Sequence, residues 1–350
     1  MVRFTRRQVL AVGVGSLAGL AFGQSPAMGQ EDGSWIRYGD ERRYHVVHRG
    51  DFQNGDVQLE SLELWIPVPQ DAPEQTVQSI EVRPRVPIVR EANGLARVAK
   101  FYGKKDLPRP GASMVLEVSY EVTVRRIATD LARLARNGPP RYANADAYRL
   151  FTRPERKIES DHPAIIEQAE KLRGQKTDPV EIARAAYDWV LENVEYQLIE
   201  GFGGAAWCLE KGHGECGDYS ALFVALCRAA GVPARLVSGF WADRTDGWHC
   251  WAEFLLPEGQ WIPVDASLGD QNWFSRRYYF GSLDNRRVAL CRTSDIELVD
   301  RSGGNRTRDF LQNGAWWWRG RHTTLEQRPP TVQFRVSGRR LGDEGAEDGR

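Results

Sequence analysis

The 350-residue sequence has no net charge, since 47 lysines and arginines balance 47 aspartates and glutamates. This balance argues against broad electrostatic binding of nucleic acid or of an anionic membrane. No internal repeat is present, and the apolar run at 9–23 is shorter than the roughly 20 residues of a membrane-spanning helix. With 41% hydrophobic and 10% aromatic residues the chain can build a packed core, so wholesale disorder is excluded. The length predicts two domains.

Metal-binding motifs are absent as well. No C-x-x-C pair and no H-E-x-x-H motif occurs, which disfavours zinc on the side chains that could compete for it: Cys208, His213, Cys216, His249 and Cys250. We therefore expect no cofactor. The five cysteines cannot all pair. Cys227 has the apolar neighbours of a core residue, whereas a Cys208–Cys250 disulfide and the state of Cys291 are left open.

Both ends of the sequence differ in composition from its body. Arg6 and Arg7 stand directly before the apolar run 9–23, and Ser25-Pro26-Ala27 follows as a candidate cleavage site. Residues 1–27 therefore resemble a bacterial twin-arginine signal, which predicts export to the periplasm or the extracellular space. The alternatives are an uncleaved anchor and a chance Arg-Arg pair. Residues 342–350 are small and acidic and predict a disordered tail.

Residues 31–135 are predicted to form a β-sandwich-like domain. Three segments alternate in polarity or carry β-branched and aromatic residues: 43–47, 62–68 and 114–124. They are separated by turn signals: Asn54-Gly55, Asn93-Gly94 and Pro110-Gly111. Short strands of this kind over roughly 100 residues suggest an antiparallel sandwich. The boundary of this domain is marked by the connection Asn137-Gly138-Pro139-Pro140.

Residues 145–300 are predicted to hold a second, α+β domain. Two helices come first, one from Pro163 to Gly174 and one capped by Asp178 and reaching Val194. A glycine-rich loop at 212–217 precedes a third helix at 218–230. Three strands then follow, at 234–241, 249–256 and 260–266. The remaining segment, 301–340, is predicted to be a C-terminal extension with one late strand at 331–336.

Cys216 is the candidate nucleophile. It lies just ahead of the predicted third helix, where N–H groups and the helix dipole favour an anion and lower the pKa below the value of about 8.5 for free cysteine. The glycines around it let a substrate backbone approach, and the Cys216 N–H can point at a developing oxyanion. Trp207, shortly before the nucleophile, is a further candidate for oxyanion or substrate contact.

A thiolate nucleophile needs a proton carrier and a residue that orients the carrier. His249 opens the second predicted strand, and Asp265 ends the third. A tight turn at Pro257-Glu258-Gly259 would pair Leu256 with Gln260. Asp265 is then the diagonal neighbour of His249 on one sheet face, at roughly 7–8 Å between backbones. A slip of one residue would put the two side chains on opposite faces.

The other polar and aromatic residues of this region have simpler interpretations. Arg235 and Glu253 are expected to be structural partners, and His213 to be a loop residue. Six tryptophans fall between Trp207 and Trp273, and three more stand at 316–318. Core packing explains most of them, and a wall of the substrate groove is the alternative for some.

Four segments resemble, in the same order, the core of the transglutaminase-like superfamily: GECGDYSALF at 214–223, RAAGVPARLVSG at 228–239, WHCWAEF at 248–254 and GQWIPVD at 259–265. The likeness spans roughly residues 150–300. It implies an α+β, papain-like core in which the cysteine-bearing helix packs on an antiparallel sheet. It also implies the roles of nucleophile for Cys216, general base and acid for His249, and orienting residue for Asp265. The preceding sandwich resembles the β domain that often precedes this core.

The resemblance predicts an exported cysteine enzyme that cleaves or transfers acyl groups of peptide or amide substrates through a thioester. Hydrolysis is the favoured outcome, and a protein-crosslinking transglutaminase with an amine acceptor is the first alternative. A non-catalytic module that binds peptide or glycan is the second. The expected partner is a protein or peptide substrate. We expect no nucleic acid, and no stable membrane partner unless the signal is retained as an anchor.

Overall fold

The computed structural model describes residues 35–91, 94–134, 140–300, 305–321 and 328–342. The predicted signal at 1–27, the Asn137-Gly138-Pro139 part of the connection and the predicted tail beyond Gly342 lie outside these ranges. Within them, no helix combines the length and the apolar character that crossing a membrane requires.

Two antiparallel sheets form the sandwich. The first contains β1 (Ile36–Gln53), β3 (Gln75–Arg83), β6 (Ser113–Thr129), β12 (Ser282–Leu283) and β17 (Thr331–Arg340). The second contains β2 (Gln58–Pro67), β4 (Ile88–Glu91), β5 (Ala96–Gly103) and β16 (Ala315–Arg321). Strand periodicity builds the core between them, because every second residue of β1 from Tyr44 to Phe52 is buried: Tyr44, Val46, His48, Gly50 and Phe52. Tyr44, Val46 and Phe52 share one apolar cluster with residues of β2, β5 and β6.

The C-terminal segment completes this sandwich. The predicted strand at 331–336 is confirmed and continues to Arg340, and it pairs antiparallel with β1, Thr331 opposite Gln53. Strand β16 pairs with β2 in the same way. The first and last parts of the described chain therefore share both sheets. Independent folding of residues 31–135 and 145–300 as two domains stays a prediction.

A third antiparallel sheet carries the candidate site. It has the order β11 (Trp261–Val264), β10 (Trp248–Leu255), β9 (Ala234–Trp241) and β13 (Arg287–Cys291). The pairing predicted from the Pro257-Glu258-Gly259 turn is confirmed, since Leu255 lies opposite Trp261 and Ala252 opposite Val264. Phe240 and Val288 of this sheet also belong to the apolar cluster of the sandwich, so the two regions share a core.

Two short pairs of strands complete the β structure. Strand β7 (Glu195–Tyr196) pairs in parallel with β8 (His213–Gly214), and β14 (Ile296–Val299) pairs antiparallel with β15 (Asn305–Arg308). His213, predicted to be a loop residue, lies in β8. The short parallel pair brings the segment after the second predicted helix against the segment that leads to Cys216.

Seven α-helices lie in the described ranges: α1 (Ala145–Thr152), α2 (Pro163–Arg173), α3 (Pro179–Asn193), α4 (Ala205–Lys211), α5 (Cys216–Ala229), α6 (Ala266–Gly269) and α7 (Trp273–Tyr278). A 3-10 helix spans Leu131–Leu134. The first two predicted helices are confirmed as α2 and α3. The Asp178 side chain accepts the Val180 N–H at 2.9 Å and starts α3, as expected of a cap. Helix α5 is almost entirely buried and packs against strand β10.

His48 is fully buried in strand β1, and neither of its ring nitrogens has a hydrogen-bond partner among the described residues. Burial lowers its pKa to about 3 from 6.5. Below pH 6.5, His48 therefore takes up a proton in the unfolded chain but stays neutral in the folded chain. The free energy of unfolding consequently falls as the pH decreases.

We expect His48→Phe to remove this acid sensitivity. From pH 6.5 to pH 5, the wild-type chain should lose about 2 kcal/mol of unfolding free energy more than the variant. Urea denaturation at a series of pH values measures the difference. His45→Gln, a substitution at a half-buried residue on the other face of the same strand, is the control and should keep the wild-type slope. Parallel stability curves for wild type and His48→Phe would show the expectation to be wrong.

Candidate active site

Cys216 is the first residue of helix α5, two residues before the predicted start at 218. The difference has a local cause, because the Asp218 carboxylate accepts the Glu215 N–H at 3.0 Å and thereby starts the helix earlier. The same carboxylate accepts the N–H groups of Gly203 and Gly204, each at 3.0 Å. Cys216 stays partly exposed, whereas the helix from Gly217 to Arg228 is buried. The residue is therefore partly accessible to solvent and lies at the positive end of a helix dipole.

Two glycines of the preceding loop are required by geometry. Gly212 ends helix α4 in the left-handed conformation with a φ of 65°. At Gly214, a Cβ atom would lie 2.6 Å from Cβ of Asp218. The sequence predicts that these glycines let a substrate backbone approach. The structure shows that Gly214 makes room for the carboxylate that organises the helix start.

The predicted His–Asp pair is present. His249 Nε2 lies 2.7 Å from Oδ2 of Asp265, and both side chains are buried. Asp265 directly follows β11 and is also the cap of helix α6. Its other oxygen, Oδ1, accepts the Ser267 hydroxyl at 3.0 Å and the Leu268 N–H at 3.1 Å. The carboxylate is therefore fixed by the backbone and by a neighbouring side chain.

Arg287 joins this pair and was not anticipated from the sequence. Its Nη1 lies 2.5 Å from Oδ2 of Asp265, and its Nη2 lies 2.6 Å from Oδ2 of Asp284. The guanidinium is surrounded by rings whose centroids lie 4.4 to 5.5 Å from Cζ, those of Trp241, Trp251 and Tyr279. No local motif marks Arg287. Only the pairing of β13 with β9 brings it to the site.

The electrostatics of the site favour an ion pair between Cys216 and His249. Hydrogen bonding from the Cys250 thiol and from the His249 imidazole lowers the pKa of Cys216 well below its usual range, against the effect of burial. Burial lowers the pKa of His249, but Asp265 and Cys216 outweigh it and raise that pKa to about 9. The pKa of Asp265 is lowered, because His249 and Arg287 overcome the effect of burial. These shifts favour a Cys216 thiolate beside a His249 imidazolium.

The remaining cysteines differ from Cys216. All five thiols lie in the described residues and are free, so Cys208 and Cys250 form no disulfide. Burial raises the pKa of Cys208 and of Cys227, and it raises that of Cys291 to about 11. Hydrogen bonding to Cys216 raises the pKa of Cys250. Cys216 is thus the one thiol of the five whose pKa is lowered.

The other candidate residues occupy different surroundings. Trp207, in helix α4, packs edge-on against His213 with ring centroids 5.2 Å apart. Arg235 and Glu253 pair with each other at 2.6 Å, as structural partners do. Among the residues that the structure describes, no three His, Cys, Asp or Glu side chains form a group that could hold a metal ion.

Cys250→Ala tests the hydrogen bond to the nucleophile. The Cys250 thiol lowers the pKa of Cys216, so its removal should raise that pKa. The onset of Cys216 alkylation should then move to higher pH. The measurement is the rate of iodoacetamide labelling against pH, read by intact mass. Cys250→Ser keeps a donor and should shift the onset less. An onset at the wild-type pH in Cys250→Ala would contradict this assignment.

A cysteine at a helix start, with a histidine and an aspartate on adjacent strands of an antiparallel sheet, defines a papain-like α+β arrangement. Residues 166–266 match the transglutaminase-like superfamily, and this region contains all three side chains. The match confirms the resemblance carried by the sequence motifs, and with the architecture it confirms the predicted α+β fold.

Comparison with one of the solved structures gives the same fold. A candidate cysteine protease from Cytophaga hutchinsonii superposes with a TM-score of 0.58 at 17% sequence identity, over 87% of this chain and 93% of that chain. The periplasmic domain of TgpA from Pseudomonas aeruginosa gives a TM-score of 0.34 at 16% identity, over 66% of this chain and 92% of that chain.

Among curated proteins, an uncharacterised protein of Haemophilus influenzae is 29% identical over 174 residues. The aligned region is 42% of this chain and 47% of that protein. The chain thus spans about half the length of the curated relative that it matches.

Proposed function

We propose that the protein is a cysteine enzyme that breaks an amide bond of a peptide or protein through a thioester. The observation that carries this proposal is the placement of Cys216 at the start of helix α5, where His249, held by Asp265 at 2.7 Å, lowers its pKa. The thiolate attacks the carbonyl carbon, and the Cys216 N–H donates to the resulting oxyanion. The His249 imidazolium gives its proton to the leaving amine as the carbon–nitrogen bond breaks.

Release of the acyl group requires an acceptor. Neutral His249 takes a proton from water, the hydroxide oxygen bonds to the thioester carbon, and the sulfur leaves as the Cys216 thiolate. His249 now carries the proton from water, so the ion pair with the Cys216 thiolate is restored. If a lysine amine replaces water, the same steps form a new amide bond. We favour water, in keeping with the structural likeness to a candidate cysteine protease.

Substrate contacts and location are parts of the same proposal. Helix α4 and strand β8, which precede α5, carry Trp207 and His213. The two rings pack on each other close to the nucleophile in sequence, and we propose Trp207 as an oxyanion or substrate contact. The Arg6-Arg7 motif and the apolar run that follows support export by a twin-arginine signal. Cell fractionation of the full chain with both arginines changed to lysine tests this, because continued export would exclude that route.

The experiment that tests the function offers a peptide library to the full chain with and without a primary amine. Mass spectrometry separates products that gain water from products that gain the amine. We expect hydrolysed peptides in both conditions and none with Cys216→Ala. Amine adducts as the main products would assign the crosslinking reaction instead. Peptide binding without product, and without a trapped thioester from an activated acyl donor, would make the protein a binding module.

A further inference from the structure

Arg287 is a buried cation held between two carboxylates. Its side chain is 2% exposed, and that of Asp265 is 1% exposed. Nη1 contacts Asp265 and Nη2 contacts Asp284, so each end of the planar guanidinium has its own acceptor. Burying such a group costs several kcal/mol unless its partners are well placed. The two carboxylates therefore compensate the burial of the Arg287 guanidinium.

One oxygen atom links Arg287 to the proton carrier. Oδ2 of Asp265 lies 2.7 Å from His249 Nε2 and 2.5 Å from Arg287 Nη1. Because Ser267 and Leu268 donate to Oδ1, both oxygens of the carboxylate are engaged. The carboxylate cannot rotate without breaking at least one of these contacts. Asp265 thus orients His249, and Arg287 in turn holds Asp265 in place.

The charge of His249 changes during the proposed reaction, whereas that of Arg287 does not. When His249 has given up its proton, the buried Asp265 carboxylate would lose its cationic partner, which is costly in a site of low polarity. Arg287 supplies a permanent counter-charge at that moment. Its pKa is raised, since Asp284 and Asp265 outweigh the effect of burial. The same cation also limits how strongly Asp265 attracts the proton of His249.

We propose that Arg287 is a positioning residue of the active site: it fixes Asp265 in the orientation that His249 requires and keeps it ionised when His249 is neutral. This inference rests on the proposed function. It adds a fourth residue to the Cys–His–Asp set, and Asp284 in turn orients that residue.

The titration of His249 can report on Arg287 because the pKa values of the other nearby groups are shifted away from that of His249. The charged and titratable groups around the Arg287–Asp265 pair and His249 are Cys216, Cys250, Asp284, Tyr187, Tyr196, Tyr278 and Tyr279. Burial raises the pKa of all four tyrosines. The pKa of Asp284 is lowered, because Arg287 outweighs burial. Hydrogen bonding between the two thiols lowers the pKa of Cys216 and raises that of Cys250. The pKa of His249, at about 9, lies within the pH range of the assay.

The test compares full-length wild type, Arg287→Gln, Arg287→Lys and Arg286→Gln. Arg286 is the adjacent arginine, is 39% exposed and pairs with Asp243 at 2.6 Å, so it is the matched control. Cys216 alkylation is followed against pH by intact mass, and its upper inflection, expected near 9 in the wild type, reports the loss of the His249 proton. Turnover of a peptide substrate is measured in parallel.

In Arg287→Gln, His249 loses a neighbouring positive charge, so the inflection should move about one unit higher and turnover should fall about 10- to 100-fold. Arg287→Lys keeps the charge but not the two-pronged contact. It should keep the wild-type inflection with about 10-fold lower turnover. Arg286→Gln should match the wild type in both measurements.

The outcomes separate this inference from the proposed function. A wild-type inflection in folded Arg287→Gln would overturn the role of Arg287 while leaving the nucleophile intact. If Arg287→Gln does not fold, Arg287→Lys decides, and wild-type turnover in that variant would overturn the role. If Cys216 of the wild type labels no faster than the other thiols, the proposed function itself fails.

Discussion

Replacing Asp265 by asparagine is expected to lower kcat by about 10³- to 10⁴-fold, as loss of the orienting carboxylate does in related triads. The carboxylate holds Nε2 of His249 at 2.7 Å and thereby directs the other ring nitrogen to the nucleophile. An asparagine amide in its place can hold the His249 ring in the wrong tautomer. The substitution also removes the negative charge that, together with Cys216, raises the pKa of His249 to about 9.

The sign of the accompanying pH effect follows from the same contacts. Without Asp265, burial acts on His249 with less opposition and lowers its pKa. The imidazolium, and with it the proton for the leaving amine, should then be lost at a lower pH than in the wild type. The measurement is kcat against pH with a peptide substrate identified from the library. Asp243→Asn removes a surface partner of Arg286 and is the control. Wild-type kcat in folded Asp265→Asn would contradict the role of Asp265.

Replacing Cys216 by alanine has the largest expected effect. The variant lacks the atom that forms the thioester, so turnover should fall by about 10⁵-fold or more. Cys216→Ser should be almost as inactive, because a serine hydroxyl does not ionise beside His249 as a thiol does. Both are measured as product formed per enzyme over hours, with thermal unfolding as the check on folding.

Cys291→Ala is the matched control for the loss of a thiol. Cys291 is buried in strand β13, and burial raises its pKa, so its removal should leave turnover within a few-fold of the wild type. Turnover in Cys216→Ala comparable with that of Cys291→Ala would show that the reaction, if any, uses another group.

Short-range features of the site could be predicted from the sequence. The turn at Pro257-Glu258-Gly259 sets the pairing of two adjacent strands, and this pairing places His249 on the same side as Asp265. The helix that carries Cys216 follows from local apolar content and a glycine-rich entry. The helix starts two residues earlier than the local sequence predicts, because the Glu215 N–H donates a hydrogen bond to Asp218.

Long-range features could not be predicted in this way. Arg287 reaches Asp265 only because β13 adds to the edge of the third sheet, 22 residues further along the chain, and nothing in its local sequence distinguishes it. Cys250 follows His249 directly, yet its contact with Cys216 depends on how helix α5 packs against β10. Likewise, β17 was predicted as a strand, but its pairing with β1 joins opposite ends of the described chain.

The most direct test of the account is the order in which the five thiols react. The folded full-length chain is treated with a small amount of iodoacetamide at pH 6, and peptide mapping locates the label. The lowered pKa of Cys216 and its partial exposure predict that Cys216 is labelled first, with the other four thiols unmodified until the chain is unfolded. Labelling of Cys216 at the rate of the buried thiols, or after any of them, would contradict the claim that the site holds an activated thiolate.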